Sequence, residues 1–115
     1  MANIAKIDEL YIRIIRYIQP LDGSEYLEEN KKALALIHKA IKILLNRSVL
    51  RTISDYNETF EAIWNLGIVT DRIAIYIRDN YYEDITEYVK FVNDYKYAVF
   101  TELVKQYTKN YFPQR

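Results

Sequence analysis

The chain has 115 residues, a formal net charge of zero, no cysteine, two glycines and two prolines. Disulfides, thiolate chemistry and cysteine-based zinc sites are therefore excluded, and a neutral total argues against a dedicated nucleic-acid coat. Half of the residues are apolar and 28% are charged, which fits one globular domain, residues 1–115, and the scarcity of turn residues favours long helices over a β-sandwich.

The charge is unevenly laid out: residues 1–30 sum to −3, 31–52 to +6, 53–102 to −6 and 103–115 to +3. Such segregation allows a basic helix to pair with an acidic one within the fold or in a second copy. The apolar N-terminus is broken by Lys6, Asp8, Glu9, Arg13 and Arg16, unlike a secretory leader. The longest uncharged run, Ala62 to Thr70, is far short of the ~20 residues that span a bilayer. The expectation is a soluble, cytoplasmic protein without a membrane segment.

Ile4, Ile7, Tyr11, Ile14 and Ile18 recur at three- and four-residue steps and predict a first helix from about Ala2 to Gln19, stopped by Pro20. Asp22-Gly23 marks a turn. Asp22 with Glu25, or Ser24 alone, can cap a second helix from about Glu25 to Asn46. Its core is the stretch KKALALIHKAIKILLN, Lys31 to Asn46. At roughly 100° per residue, Lys31, Lys32, Ala35, His38, Lys39, Lys42 and Asn46 share an arc of about 120°. Leu34, Leu36, Ile37, Ile41, Ile43, Leu44 and Leu45, with Ala33 and Ala40, fill the other ~240°. An ordinary surface helix shows an apolar stripe a little over ~100° wide. The expectation is therefore a central helix wrapped by its neighbours, with one wet, basic strip.

Arg47 to Ile53 reads as a frayed continuation or a short turn. Asp55 and Glu58 form a capping box for a third helix, Tyr56 to Leu66, with Tyr56, Phe60, Ile63 and Trp64 on its inner face and Gly67 just past its end. Thr70 or Asp71 can cap a fourth helix to about Asp79, although Ile73, Ile75 and Ile77 alternate as a strand would. In the last segment, Tyr82 to Tyr111, Ile85, Tyr88, Val92, Tyr95, Val99, Leu103 and Tyr107 keep a three-four alternation. Thirty helical residues would be ~45 Å long, more than a compact domain of this size needs. Either the helix breaks near Asn93-Asp94, or it projects and finds a partner. A sustained three-four stripe also suits a seam between helices of two copies. The candidate oligomer interface is thus Tyr88, Phe91, Val92, Tyr95, Val99, Leu103 and Tyr107.

Candidate chemistry is sparse. Lys31, Lys32, His38, Lys39 and Lys42 read either as a face for an anionic partner, nucleic acid included, or as a solvated face whose stems cover apolar surface. His38 is the sole histidine, lies on the wet arc and has no carboxylate one helical turn away, so a surface position is expected. Glu83, Asp84 and Glu87, like Asp55, Glu58 and Glu61, read as capping and solvation, because a helical di-metal site would want Glu-x-x-His pairs. No phosphate-loop, dinucleotide, nucleophile-elbow or His-Glu-x-x-His motif occurs, so no catalytic residue, metal or cofactor is assigned. Twelve tyrosines crowd the chain, and Tyr81, Tyr97, Phe91 and Phe112 do not fit one stripe. Exposed aromatics favour protein interfaces or base stacking; the flanking acids argue against the second.

Ser54 to Ile77, SDYNETFEAIWNLGIVTDRIAIYI, resembles the middle of HEPN-domain proteins of the HepT-like kind, which have a Ser/Tyr-led helix with a Phe and then a Gly-Ile/Val turn before the next helix. The likeness covers about a fifth of the chain. It implies a helical-bundle dimer related to RNA-cleaving toxins that pair with a nucleotidyltransferase antitoxin. The family's Arg-x(4–6)-His motif is missing, so the resemblance implies a catalytically silent relative and transfers no active-site residue. The Ile- and Tyr-rich, glycine-poor composition also resembles that of proteins from heat-adapted archaea and their viruses and plasmids, although eight asparagines weigh against a hyperthermophile. The overall expectation is an all-α bundle of four or five helices acting as a non-enzymatic module that self-associates, most simply as a homodimer, or binds a protein partner. The alternatives are an RNA-targeting HEPN-like protein and a nucleic-acid binder using residues 31–51.

Overall fold

A computed structural model of the protein describes residues 4–22, 24–46, 53–81 and 84–111. These residues form four α-helices and no strand: α1 Ile4–Ile18, α2 Glu25–Leu45, α3 Ile53–Tyr81 and α4 Thr86–Tyr111. The expectations placed on Gly23, Arg47 to Thr52, Tyr82, Glu83 and Phe112 lie outside the described residues.

Helix α1 packs mainly on α4, and α2 on α3; α3 against α4 closes the bundle. Successive helices run antiparallel, as short connections require. Tyr17, at the end of α1, donates to the carbonyl of Asp84 just before α4 (3.3 Å). Gln106, late in α4, donates to the carbonyl of Leu45 at the end of α2 (2.8 Å). The result is a rod of 54 × 22 × 18 Å. Its core is a column of Ile and Leu from α1, α2 and α3 facing Tyr88, Val92, Tyr95, Val99 and Leu103 of α4.

Helix starts and stops follow local chemistry. The Ser24 hydroxyl accepts from the Leu27 amide (3.0 Å), the N-cap role expected of it. The Asp84 carboxylate accepts from the Thr86 amide (2.9 Å) and hydroxyl (2.5 Å) and starts α4. These bonds hold its carboxyl below the usual carboxylate value. At the end of α1, the Lys31 ammonium donates to the carbonyls of Leu21 and of Gln19 (3.5 Å), which have no partner in the helix itself.

Three expectations need correction. First, Gly67 does not end a helix and neither Thr70 nor Asp71 begins one; α3 runs through all three. A single glycine in a helix interior costs only about 1 kcal/mol, and the buried Leu66, Val69, Ile73 and Ile77 on either side of it outweigh that. The Thr70 hydroxyl donates back to the carbonyls of Leu66 (2.7 Å) and Gly67 (3.1 Å) rather than forward to a new helix. Asp55 accordingly sits in the first turn of α3 instead of capping it, the alternating isoleucines are helical, and the Gly-Ile turn on which the HEPN resemblance rests is helix interior.

Second, α4 neither breaks at Asn93-Asp94 nor outgrows its neighbours. Its 26 residues, about 39 Å, lie beside the 29 residues, about 44 Å, of α3.

Third, α2 is not wrapped on all sides. Leu34, Ile41 and Leu45 are buried and Ile37 is half-buried, but Leu36 is 67% and Ile43 56% exposed. The buried direction of α2 is Leu27, Asn30, Leu34, His38, Ile41 and Leu45, at the edge of its apolar arc rather than its middle.

Candidate functional site

Two features stand out against this frame: a polar cluster inside the bundle, and an aromatic face outside it.

The cluster is built from three helices. Asp8 and Tyr11, three residues apart on α1, point at the same level as His38 of α2 and Tyr95 of α4. His38 is only 7% exposed. Its Nε2 lies 2.8 Å from Asp8 Oδ1, its Nδ1 lies 2.6 Å from the Tyr95 hydroxyl, and its ring stacks on Tyr11 with centroids 3.8 Å apart and planes 3° from parallel. The other Asp8 oxygen takes Lys42 Nζ at 3.2 Å. An ionised carboxylate only accepts, so Nε2 carries the imidazole proton and donates to Asp8. That leaves Nδ1 to accept from the Tyr95 hydroxyl, and every polar atom on His38 is satisfied.

The electrostatics agree. Burial holds His38 below its ordinary value despite the nearby Asp8 charge, so the ring is neutral at pH 7. Partial burial pushes the Asp8 carboxyl up, but the hydrogen bonds and charges of His38 and Lys42 together hold it below the usual range. Burial, with the nearby Tyr11 and Asp8, pushes the Tyr95 phenol far up, so it stays a donor.

The order Tyr–His–Asp has the form of a proton relay, but its terminal hydroxyl has no access to solvent. The arrangement serves to hold α1, α2 and α4 in register. His38 therefore corrects the expectation of a surface residue: the carboxylate that orients it comes from another helix. A sequence signal exists, because position 38 continues the Leu27, Leu34, Ile41, Leu45 spacing, and it is hidden by the larger apolar arc beside it.

The basic strip is divided rather than continuous. Lys31 is bound to the end of α1 and to Glu28 (3.1 Å), Lys42 to Asp8, and His38 is interior. Lys32 and Lys39 remain on the exposed side. Asp8 with His38 and Lys42 makes the cross-helix charge contact; the other ion pairs among the described residues join near neighbours, Arg13 to Glu9, Lys31 to Glu28 and Arg78 to Asp79. Glu87, Glu58 and Glu61 are exposed, and among the described residues no three acidic or histidine side chains are placed to share a metal ion.

Most tyrosines find ring partners inside the chain: Tyr17 with Tyr88, Tyr56 with Tyr107, and Tyr76 with Tyr26 and Tyr81. The stripe expected to form a seam between copies is largely core. Tyr88, Val92, Tyr95, Val99 and Leu103 are buried and Phe91 is half-buried against them, while Tyr107 remains exposed. What α4 turns outward is the next stripe round, Tyr97, Phe100, Val104 and Tyr107, and α3 sets Phe60, Trp64 and Ile68 beside it. Trp64 is 72% and Tyr97 75% exposed.

Between the two helices runs a groove. One part, about 550 Å³, is walled by Phe60, Ile63, Trp64 and Ile68 on α3, with Gly67 at its floor and Lys96 of α4 opposite. It continues past the Phe60–Phe100 ring pair, 6.2 Å apart, into a wholly apolar part of about 320 Å³ lined by Tyr56, Phe60, Leu103, Val104 and Tyr107. This corrects the inner face expected of the third helix: Tyr56 is buried and Ile63 half-buried, but Phe60 and Trp64 point outward, because α3 continues past Gly67 and its buried side is set by Leu66, Val69, Ile73 and Ile77.

Among the described residues no helix is long and apolar enough to cross a membrane. Comparison with protein-family models, with curated proteins and with solved structures finds no match to this chain.

Proposed function

We propose that the protein is a non-enzymatic helical interaction module that self-associates or binds a protein partner through the α3–α4 aromatic face. The observation that supports this reading is the exposed run of Phe60, Trp64, Ile68, Tyr97, Phe100 and Val104 along two adjacent helices. Apolar side chains scattered singly are ordinary on a protein surface, whereas a contiguous aromatic patch marks a contact site. Trp and Tyr in particular supply large contact area with little conformational entropy to lose.

No observation favours the RNA-targeting or nucleic-acid-binding readings in the same way. Lys31 and Lys42, two of the proposed cationic contacts, are engaged within the fold. His38 is committed to Asp8 and Tyr95.

A photo-crosslinking residue placed at position 64 or 100 in the native cell tests the reading. Protein adducts from these two positions, and none from position 32 on α2, are the expected result. Nucleic-acid adducts, or equal labelling from position 32, would defeat it.

A further inference from the structure

We infer that the occupant of the α3–α4 face is a second copy of this chain, related by a two-fold axis that runs along the helices. This rests on the reading above and adds the partner and its orientation.

The charge pattern across the groove supports it. Asp71 stands on the α3 side and Lys96 on the α4 side of the same groove. Among the described residues neither takes part in an ion pair within 4.0 Å. A surface with opposite charges on its two walls is complementary to itself under one rotation. An axis along the helices sets each α3 against the partner's α4, so Asp71 of each copy meets Lys96 of the other, twice over. An axis across the helices would set α3 against α3 and leave both charges unmatched.

The same rotation keeps each α3 antiparallel to the helix it meets. It also lays the Phe60–Trp64 ridge on the Phe100–Val104 ridge, at the level where Phe60 and Phe100 already face each other within one chain. The contact then has an aromatic centre and a charged edge, the arrangement found in protein interfaces. Gly67 leaves the groove floor open: a Cβ there meets only Lys96 Nζ, at 3.7 Å.

Trp64 is the sole tryptophan, so its emission reports burial of this face directly. The test follows the mass of the full chain by sedimentation and Trp64 emission over a dilution series. A two-copy species whose emission moves to the red on dilution is expected. Trp64→Ala should weaken association by tenfold or more, and Gly67→Leu, which fills the groove, should do the same while far-UV circular dichroism stays unchanged. Asp71→Lys should weaken association, and the double variant Asp71→Lys/Lys96→Asp should restore it.

A one-copy mass at every concentration overturns the second copy and leaves the protein-binding face to the crosslinking test. A two-copy mass insensitive to Trp64→Ala and Gly67→Leu, with unchanged emission, overturns the placement of the second copy on this face and likewise leaves the face itself to the crosslinking test. Association lost in Asp71→Lys and not regained in the double variant overturns the orientation.

Discussion

At the scale of single residues, His38 is held by contacts from two other helices, α1 and α4, and its removal should cost what a core residue costs. His38→Ala opens a cavity under Tyr11 and leaves the buried Tyr95 hydroxyl without its acceptor. The expected loss is about 3 kcal/mol by denaturant unfolding, whereas a surface histidine would change stability by less than about 0.5 kcal/mol. A pH dependence follows from the same burial. The folded chain resists protonating His38, so its pKa lies below the 6.5 of the unfolded chain. The unfolded state therefore binds the proton first, and stability, complete above pH 6.5, falls as the pH drops from there through the folded-state value. Asp8, held below 3.8 in the fold, adds a second loss at still lower pH, as its carboxylate protonates. Unfolding midpoints measured over pH should show both limbs in the wild type, and His38→Gln should flatten the first. The spacing around His38 hints at burial but not at its partners, which are 30 and 57 positions away.

At the scale of elements, the continuity of α3 carries its own expectation. Gly67 sits in the helix with room for a methyl group. Gly67→Ala should therefore stabilise the protein by about 0.5–1 kcal/mol, read as a raised thermal midpoint. Were Gly67 a left-handed helix stop, the same change would destabilise. Helix α2 offers a second test. Leu36→Ser and Ile43→Ser should each lie within about 0.5 kcal/mol of the wild type, because both side chains are mostly in water; a helix wrapped on all sides would lose several times that. The periodicity of α1, the Ser24 cap and the bounds of α2 were readable from the residues, since each depends on neighbours within one or two turns. The join across Gly67 was not, because local turn chemistry there opposes burial of Leu66, Val69, Ile73 and Ile77, and only packing decides between them. The facing direction of α2 was hidden for a related reason: Asn30 enters the core by donating to the Tyr26 carbonyl of its own helix (2.8 Å), and His38 by bonding Asp8 and Tyr95 of other helices, which the apolar pattern of α2 does not reveal.

At the scale of the whole molecule, length matching decides where the aromatics go. Because α3 is as long as α4, the three-four stripe of α4 is used up inside the chain, and the surplus aromatic surface appears one stripe over. The candidate face was thus legible as an excess of Tyr, Phe and Trp but not as a set of positions. That assignment required knowing that α3 and α4 lie side by side, with Tyr56 against Tyr107, Phe60 against Phe100 and Thr70 against Tyr88.

Among the described residues, the two ends of the rod are fastened unequally. At one end, the Tyr81 hydroxyl both donates to the Asp22 carbonyl and accepts from the Asp22 amide (3.0 Å), beside the Tyr17 and Lys31 bonds. At the other, the Gln106 amide nitrogen meets Leu45 while its oxygen is buried without a partner. Such a molecule should breathe like a clothes peg. Amide protons around residues 102–107 should exchange with solvent through partial openings well before those around residues 14–18 and 88–92, and Tyr81→Phe should even out the difference by slackening the spring.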